Sequence, residues 1–442
     1  MLAEPEGPCD KPRMPATRRA DGSLELGGVA LSELVQDARI GTPAYVYDLD
    51  GIAAGARALQ EAFGGAPHLV AYAVKANSAG HVVRTLVAEG CGADVVSGAE
   101  LVLALRSGVE PDRIVYSGVA KTDAELDLAI GTGAAGIAAV QVESVEEIPR
   151  IAARAKAAGR TARVSLRLNP GVDAEALDTH SYIATGHDDA KFGVPVSSVP
   201  DALALLASED VKRAVRLVGV GAHVGSQFTT TDAYVASAKV VFELARQLRG
   251  RFALAFVGGG GGFGIDYGEG CPASPPDFIR AARALQKEMG VDDLAFYCEP
   301  GRSLVGAHGV LVARVIQKKE SLRSDVVRRW TMIDAGMNDL MRPALYQARH
   351  RIVAAIDPGG ERLPFRVVGP VCESSDDFGV HELPASPFGE VVILDAGAYG
   401  YSMASRYNGR PLPAEVFLKG GAIAHVNARR PLEDWVDDRL GA

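Results

Sequence analysis

Short apolar runs alternate with longer stretches of helical periodicity between about residue 50 and residue 305. Each run ends in a polar or glycine-containing turn, which is typical of a buried β-strand that leads into a helix. Eight strands alternating with helices predict a (β/α)8 TIM-type barrel, with an α/β fold class. An open, doubly wound sheet is the structural alternative, because the number of strands does not by itself close a barrel. The eight runs are Leu69–Val74, Ala93–Val96, Arg113–Tyr116, Gly136–Val142, Arg163–Leu168, Leu217–Val224, Ala255–Val257 and Leu294–Cys298.

The pattern changes after residue 305, where apolar runs recur with few helical stretches between them. Proline, glycine and aspartate supply the turns, so this part predicts a mostly β domain of sandwich or barrel-like form. The segment Gly41–Asp48 is also strand-like, and we expect it to join that second domain. The expected divisions are an extension at 1–22 without ordered structure, a segment at 23–48 joining the β domain, the barrel at 49–305 and the β domain at 306–442.

Composition narrows the class of protein. The 442 residues exceed what one hydrophobic core usually serves, and a net charge of −9 without a basic stripe excludes nucleic acid as an expected partner. The N-terminus lacks the apolar core of a secretory signal, and no apolar run reaches the ~18 residues of a membrane span. A cytoplasmic protein without membrane contact is therefore expected. The five scattered cysteines contain no Cys-x-x-Cys pair, which favours reduced thiols over a metal site or a disulfide framework.

Functional residues of such barrels lie at the carboxyl ends of the strands, and three of these ends carry candidate side chains. Lys75 follows the first strand, where partial burial favours loss of its proton. His223 follows the sixth, with Ser226 in the next turn, so a ring that can stack on a cofactor lies near a phosphate-binding turn. Glu299 follows the eighth, where a carboxylate can bind a protonated pyridine nitrogen. Taken singly, each also fits a structural role: a solvated lysine, a core histidine, or an ion pair of Glu299 with Arg302.

The seventh run is followed by the glycine tract Gly258–Gly264. Successive N–H groups in such a loop bind anions, and the loops after strands seven and eight are the usual phosphate site of these barrels. The tract also contains a formal Gly-x-Gly-x-x-Gly match at Gly259, Gly261 and Gly264. We reject a dinucleotide-binding fold, because the match is degenerate in a glycine run and no helix is expected directly after it. An amine, a stacking ring, a phosphate loop and an acid on one rim together indicate pyridoxal phosphate.

The β-rich part adds three polar clusters. Arg342, within the stretch 334–346, is suited to bidentate binding of a carboxylate. Cys372 and Glu373 place a thiol and an acid in one loop, and Tyr399 lies in a glycine-rich turn. Turn chemistry and surface ion pairs would explain these clusters if the barrel motifs were absent.

The ordered motifs resemble those of the fold-type III pyridoxal-phosphate-dependent decarboxylases. The resemblance runs from about residue 40 to the C-terminus, and it is strongest to the members that act on diaminopimelate. The segment His180–Gly186 with Lys191–Gly193 resembles the active-site loop of those members. The other motifs are Tyr-Ala-Val-Lys75-Ala-Asn, His223-Val-Gly-Ser, the Gly258–Gly264 loop, Glu299-Pro-Gly-Arg302, Gly-Pro-Val-Cys372-Glu373-Ser and Asp395-Ala-Gly-Ala-Tyr399.

The resemblance implies an enzyme of lysine biosynthesis that decarboxylates meso-2,6-diaminopimelate to L-lysine and CO2. Lys75 would carry pyridoxal phosphate as a Schiff base, His223 would stack on its ring, and Glu299 would bind its pyridine nitrogen. Cys372, as proton donor, and Glu373 would reach in from the other subunit of a homodimer. The remaining cofactor contacts are implied for Ser226, Gly259, Gly260, Gly261, Gly262, Gly301, Arg302 and Tyr399. The substrate contacts are implied for Arg302, Arg342, Tyr346, Glu373 and Tyr399.

One position departs from the family pattern. Ser375 stands where the family commonly has glycine, in the loop that carries Cys372 and Glu373. If this position needs a positive φ, serine would be strained there.

Three rival functions stay open at this point. A decarboxylase of the same fold could act on ornithine, arginine or carboxynorspermidine, which lack a second α-amino-acid centre. An alanine-racemase-type enzyme would be expected to place an arginine, not Glu299, against the pyridine nitrogen. A non-catalytic pyridoxal-phosphate carrier would need only a lone barrel, without the β-rich part that carries Cys372 and Tyr399.

Overall fold

The fold combines a parallel barrel with a large, mostly antiparallel sheet. The computed structural model describes residues 15–170, 191–323 and 326–441. Its strands are β1 (Ala16–Arg18), β2 (Leu24–Leu26), β3 (Val29–Ala30), β4 (Ala44–Asp48), β5 (His68–Ala73), β6 (Gly92–Val95), β7 (Ile114–Tyr116), β8 (Ala139–Val142), β9 (Ala162–Asn169), β10 (Val194–Pro195), β11 (Val215–Ala222), β12 (Phe256–Gly258), β13 (Ala295–Cys298), β14 (Gly309–Arg323), β15 (Val326–Ile333), β16 (Ile352–Ala354), β17 (Arg362–Val368), β18 (Asp377–Pro384), β19 (Glu390–Ile393), β20 (Ala414–Lys419) and β21 (Ala422–Asn427).

The helices alternate with strands in the first half of the chain and are sparse afterwards. They are α1 (Leu31–Leu34), α2 (Leu49–Glu61), α3 (Gly80–Ala88), α4 (Gly98–Arg106), α5 (Asp123–Gly131), α6 (Glu147–Ala157), α7 (Val199–Ala207), α8 (Glu209–Lys212), α9 (Asp232–Leu248), α10 (Pro275–Glu288), α11 (Arg302–Val305), α12 (Arg342–Tyr346) and α13 (Glu433–Leu440).

Eight parallel strands form a closed barrel in the order β5-β6-β7-β8-β9-β11-β12-β13, with β13 pairing back to β5. The predicted TIM-type barrel is therefore confirmed, and the open-sheet alternative is wrong. The strands are nearly continuous apolar runs because side chains fill the barrel on one face and helices cover the other. This burial is why each strand could be recognised in the sequence.

Local sequence signals fix several helix starts on the outside of the barrel. Thr122 and Glu125 form a capping box at the start of α5, with the Glu125 N–H donating to Thr122 Oγ1 at 3.3 Å and the Thr122 N–H donating to Glu125 Oε2 at 2.9 Å. Helix α2 precedes the first barrel strand, yet it packs between α3 and α10. It thereby takes the eighth helical place, since α11 has only four residues.

The second sheet has the order β18-β17-β15-β14-β4-β20-β21, with β19 pairing with β14 and β16. Strand β4 lies between β14 and β20, so the strand-like segment Gly41–Asp48 does join the β-rich part. The first half of β14 pairs with β4 and β19, and its second half pairs with β15. The mostly β second domain is confirmed, while the residue boundaries assigned to the domains stay a prediction.

A small sheet of β1, β2 and β3 packs on the β-rich part through a shared core that includes Leu24, Leu26, Val46 and Val310. The sequence predicts no ordered structure for the stretch 1–22, yet β1 lies within it. The strand forms because its backbone pairs with that of β2. Within the described residues, no helix combines the length and the apolar character needed to cross a bilayer.

Candidate active site

A cavity of about 610 Å³ opens at the carboxyl ends of the barrel strands, and the β-rich part supplies one of its walls. The structure brings ten of the residues predicted from the sequence into this one cavity. They are Lys75, His223, Ser226, Gly262, Glu299, Gly301, Arg302, Arg342, Tyr346 and Tyr399.

Lys75 lies in the turn after β5 with its amine against a buried acid. Its Nζ donates to Asp94 Oδ2 at 2.9 Å, and Asp94, inside β6, is 0% exposed. Burial lowers the pKa of Lys75, but the charge of Asp94 and the hydrogen bond that Lys75 donates to it, with a contribution from Glu299, outweigh burial, so the net pKa is raised. The resting amine is therefore a protonated group, which must lose a proton before it can act as a nucleophile.

Glu299 follows β13, the strand that pairs with β5, so it lies beside Lys75 at the barrel mouth. Burial, together with the charge of Asp94, raises the pKa of Glu299 to about 7. Its backbone N–H donates to the Gly260 carbonyl at 2.8 Å, which fixes the acid beside the glycine tract. Near neutral pH this carboxyl can carry a proton or release one to a basic ring nitrogen.

His223 follows β11 and has a defined tautomer. Its Nδ1 accepts the Gly261 N–H at 3.0 Å, so a neutral ring carries its proton on Nε2. Burial lowers the pKa of His223 well below the usual value, and the positive charges of Arg167 and Lys75 lower it further. Arg167 Nη2 also donates to the His223 carbonyl at 3.3 Å. The ring is thus a neutral, oriented surface at the barrel mouth.

The glycine tract turns sharply between the ends of β11 and β13. Gly260 and Gly262 have φ values of +68° and +92°, and a Cβ on Gly262 would lie 2.5 Å from the Gly225 carbonyl oxygen. A Cβ on Gly261 would lie 2.1 Å from the Glu299 carbonyl oxygen. Only glycine allows this close approach. Gly262 lines the cavity, whereas Gly259, Gly260 and Gly261 are not among its lining residues.

Two buried arginines face the cavity without a carboxylate partner in the described ranges. Arg302 Nη1 and Arg342 Nη1 both donate to the hydroxyl of Tyr267, at 2.8 Å and 3.0 Å. Arg302 also donates to Ser226 Oγ at 3.1 Å and stacks over the Tyr399 ring at 5.0 Å from the ring centroid. Unpaired buried cations are costly, so this cluster is built to receive an anion.

His350 holds Arg342 from behind. Its Nε2 accepts from Arg342 Nη1 at 2.8 Å, and its Nδ1 pairs with the Leu394 carbonyl at 2.9 Å. Burial and the neighbouring Arg342 charge lower the pKa of His350 to about 3. The histidine therefore stays neutral and serves as a fixed acceptor for the guanidinium.

The loop between β17 and β18 carries Cys372 and Glu373 away from the cavity of its own chain. Cys372 is exposed, and its backbone N–H donates to Asn408 Oδ1 at 3.0 Å. Glu373 Oε1 accepts from the Tyr407 hydroxyl at 2.6 Å. Ser375 does not take a positive φ, so the strain considered for this departure from the family pattern does not arise.

Sequence reasoning missed Asp94, Tyr267 and His350. Asp94 interrupts an apolar run, which was the one available signal, since an acid inside a buried strand needs a partner. Tyr267 and His350 meet the arginines only through tertiary contacts, so no local pattern marks them. The segment His180–Gly186 lies outside the described residues, whereas the Gly193 N–H donates to Glu143 Oε2 at 2.9 Å.

Comparison with known proteins assigns the class to which this fold and site belong. Residues 49–306 match the family described as pyridoxal-dependent decarboxylase, pyridoxal binding domain. The chain therefore belongs to the pyridoxal-dependent decarboxylases, and the resemblance of its motifs is confirmed.

Particular relatives within the family match nearly end to end. Diaminopimelate decarboxylase of Zymomonas mobilis is 37% identical over 424 residues, which cover 95% of this chain and 97% of the relative. The Neisseria meningitidis serogroup A enzyme of the same name is 38% identical over 402 residues, covering 90% and 95%. The crystal structure of diaminopimelate decarboxylase from Helicobacter pylori complexed with L-lysine has a TM-score of 0.84 at 38% identity, covering 93% of this chain and 100% of that one.

Proposed function

We propose that this chain is a pyridoxal-phosphate-dependent decarboxylase that removes CO2 from meso-2,6-diaminopimelate and yields L-lysine, as a step of lysine biosynthesis. One observation carries the proposal: a single cavity holds the Lys75 amine, the Glu299 carboxyl and two guanidiniums that lack an acid partner in the described residues. Relatives that match nearly the whole chain carry the name of this activity.

The residues at the barrel mouth fit pyridoxal phosphate. Lys75 would hold its aldehyde and Glu299 its ring nitrogen. Gly262 suits the phosphate, because a side chain there would collide with backbone and its N–H donates to no acceptor in the described residues. When bound, the cofactor supplies an electron-poor ring that withdraws electrons from the bond between Cα and the carboxylate.

The chain's own residues prepare and direct the chemistry. Lys75 has to give up an Nζ proton before it can bond an aldehyde, and Asp94 Oδ2 is the nearest acceptor for that proton. The neutral His223 ring can lie on an aromatic face without adding charge there. Glu299, with its pKa raised to about 7, can share a proton with a ring nitrogen at physiological pH.

The end of the substrate that is not decarboxylated carries a carboxylate and an ammonium, and the protein needs side chains that bind both. Arg302, Arg342 and Tyr346 would bind the carboxylate, and Glu373 would bind the ammonium. Cys372 would return the proton to Cα. Because Cys372 and Glu373 do not line the cavity of their own chain, we propose a homodimer in which each subunit completes its partner's site. We place this enzyme in the cytoplasm.

The direct test is incubation of the pyridoxal-phosphate-loaded protein with meso-diaminopimelate, followed by measurement of L-lysine and CO2. Lys75→Ala should abolish both product formation and the visible absorbance of the bound cofactor. The matched control is Lys212→Ala, an exposed lysine in α8, which should leave both unchanged. Release of CO2 from ornithine or arginine, with none from diaminopimelate, would overturn the proposal.

A further inference from the structure

Tyr267 lines the cavity but belongs to none of the motifs described so far. We infer that it is a further substrate-binding residue, whose hydroxyl donates a hydrogen bond to the carboxylate that diaminopimelate keeps after decarboxylation. This inference rests on the proposed function and adds a specificity-determining contact to it.

The hydrogen bonds around Tyr267 leave its proton for a ligand. The oxygen accepts from Arg302 Nη1 at 2.8 Å and from Arg342 Nη1 at 3.0 Å. A phenolic oxygen has one O–H donor and two acceptor lone pairs, so these two bonds use its acceptor capacity. Within residues 15–170, 191–323 and 326–441 the O–H has no acceptor, and the residue faces the cavity.

The two guanidiniums also select the charge of the ligand. They draw electron density from the phenolic oxygen, which makes its O–H a stronger donor. The guanidinium carbons of Arg302 and Arg342 lie 5.9 Å and 5.1 Å from the Tyr267 ring centroid. A neutral acceptor would leave both cations without a counter-charge, whereas a carboxylate supplies both the acceptor and the charge.

The loop that carries Tyr267 is held rigidly. On its N-terminal side, the Gln227 side chain clamps both backbone groups of Ile265, accepting from its N–H at 3.3 Å and donating to its carbonyl at 2.6 Å. On the other side, Asp266 Oδ1 accepts the N–H groups of Gly268 and Gly270, at 2.6 Å and 2.9 Å. A donor fixed in this way loses little entropy when a ligand binds.

The anion at this cluster could come from the cofactor's phosphate or from the substrate's carboxylate. Arg302 could contact either anion, because its Nη2 donates at 3.1 Å to the Oγ of Ser226, a residue expected to bind the cofactor. The Tyr267 hydroxyl bonds both Arg302 and Arg342, and Arg342 is held by His350 of the β-rich part rather than by the glycine tract. We therefore assign the Tyr267 hydroxyl to the carboxylate.

The test uses the holoenzyme and its Tyr267→Phe variant, which keeps the ring and removes only the hydroxyl. L-lysine carries the retained carboxylate, whereas 1,5-diaminopentane does not. We expect the variant to bind L-lysine about tenfold more weakly and to show a similar rise in KM for diaminopimelate. Its affinities for 1,5-diaminopentane and for pyridoxal phosphate should be unchanged. Tyr297→Phe is the matched control, because the Tyr297 ring stacks on Phe256 and does not line the cavity.

Unchanged L-lysine binding in Tyr267→Phe overturns the inference. So does a loss of affinity for pyridoxal phosphate, which would assign the hydroxyl to the phosphate instead. If the wild-type holoenzyme binds L-lysine but does not turn over diaminopimelate, the proposed function fails while the binding comparison still decides the role of Tyr267. If the wild-type holoenzyme binds neither ligand, both proposals fail.

Discussion

At the scale of single residues, the contact between Lys75 and Asp94 sets the pH behaviour of the site. A nucleophilic lysine is usually activated by surroundings that lower its pKa. Here the buried Asp94 carboxylate, 2.9 Å from Nζ, has the opposite effect and stabilises the ammonium. The arrangement protects the amine when no aldehyde is present, and it requires a proton to leave before the cofactor can be captured.

The pH dependence of cofactor capture follows from this raised pKa. Below the pKa of Lys75 the neutral fraction grows roughly tenfold per pH unit, so the rate of capture by the cofactor-free protein should rise with pH. Asp94→Asn removes the stabilising charge and should shift this rate profile to lower pH. Stopped-flow absorbance after mixing with pyridoxal phosphate measures the profile, with the exposed Asp112→Asn as control. An unshifted profile in Asp94→Asn would contradict this account.

The sequence could predict residues whose position follows from topology alone. Lys75, His223 and Glu299 each end a parallel strand, and closure of the barrel brings all such ends to one mouth. Asp94 could not be assigned, because an acid within a strand can pair in many ways. Tyr267 could not be assigned either, since its partner Arg342 lies in a different domain.

At the scale of elements, the loop between β17 and β18 has a shape imposed by one buried acid. Asp376 Oδ2 accepts the Val371 N–H at 2.6 Å, and its Oδ1 accepts the Met337 N–H at 2.7 Å. These bonds tie both arms of the loop to the segment before α12. The exposed position of Glu373 at the loop's tip is therefore fixed, which suits its proposed contact with a partner subunit.

Glu373→Ala tests the function of that loop. The proposed partner of this carboxylate is the ammonium at the far end of the substrate, so KM for diaminopimelate should rise about tenfold or more while the affinity for pyridoxal phosphate stays unchanged. Steady-state kinetics and a cofactor titration measure the two quantities. Glu361→Ala, an exposed acid in the preceding loop, is the control. A similar KM effect in Tyr407→Phe would indicate that Glu373 acts only through its bond to Tyr407.

Helices and strands could be predicted from the sequence where their burial requires a pattern of apolar residues, and could not be predicted where it does not. The eight barrel strands are mostly buried on both faces and are mainly apolar in sequence. The apolar run at the start of β14 stops at Ile316, but the strand continues to Arg323, because residues 317–323 are held by pairing with β15 rather than by burial. The place of α2 as the eighth barrel helix depends on packing, which periodicity does not encode.

At the scale of the whole molecule, the proposed homodimer predicts that two inactive variants restore each other. In a heterodimer, the Lys75→Ala subunit lacks the amine of its own site, and the Cys372→Ala subunit fails to supply a thiol to that same site, so both defects fall in one site and the other is intact. Random mixing of their subunits gives half heterodimers, each with one intact site, so about a quarter of wild-type activity should return. Subunit exchange followed by an assay of CO2 release measures this. No recovery, despite heterodimers detected by native mass spectrometry, would exclude sharing of the sites.

The chain passes between the barrel and the β-rich part twice, once from β4 into α2 and once from α11 into β14. The two passages run side by side, with the Asp48 N–H donating to the His308 carbonyl at 2.9 Å. Rotation of the barrel against the β-rich part would have to bend both connections and break the backbone hydrogen bonds between β4 and β14. A clamshell closure between the two parts is thus disfavoured.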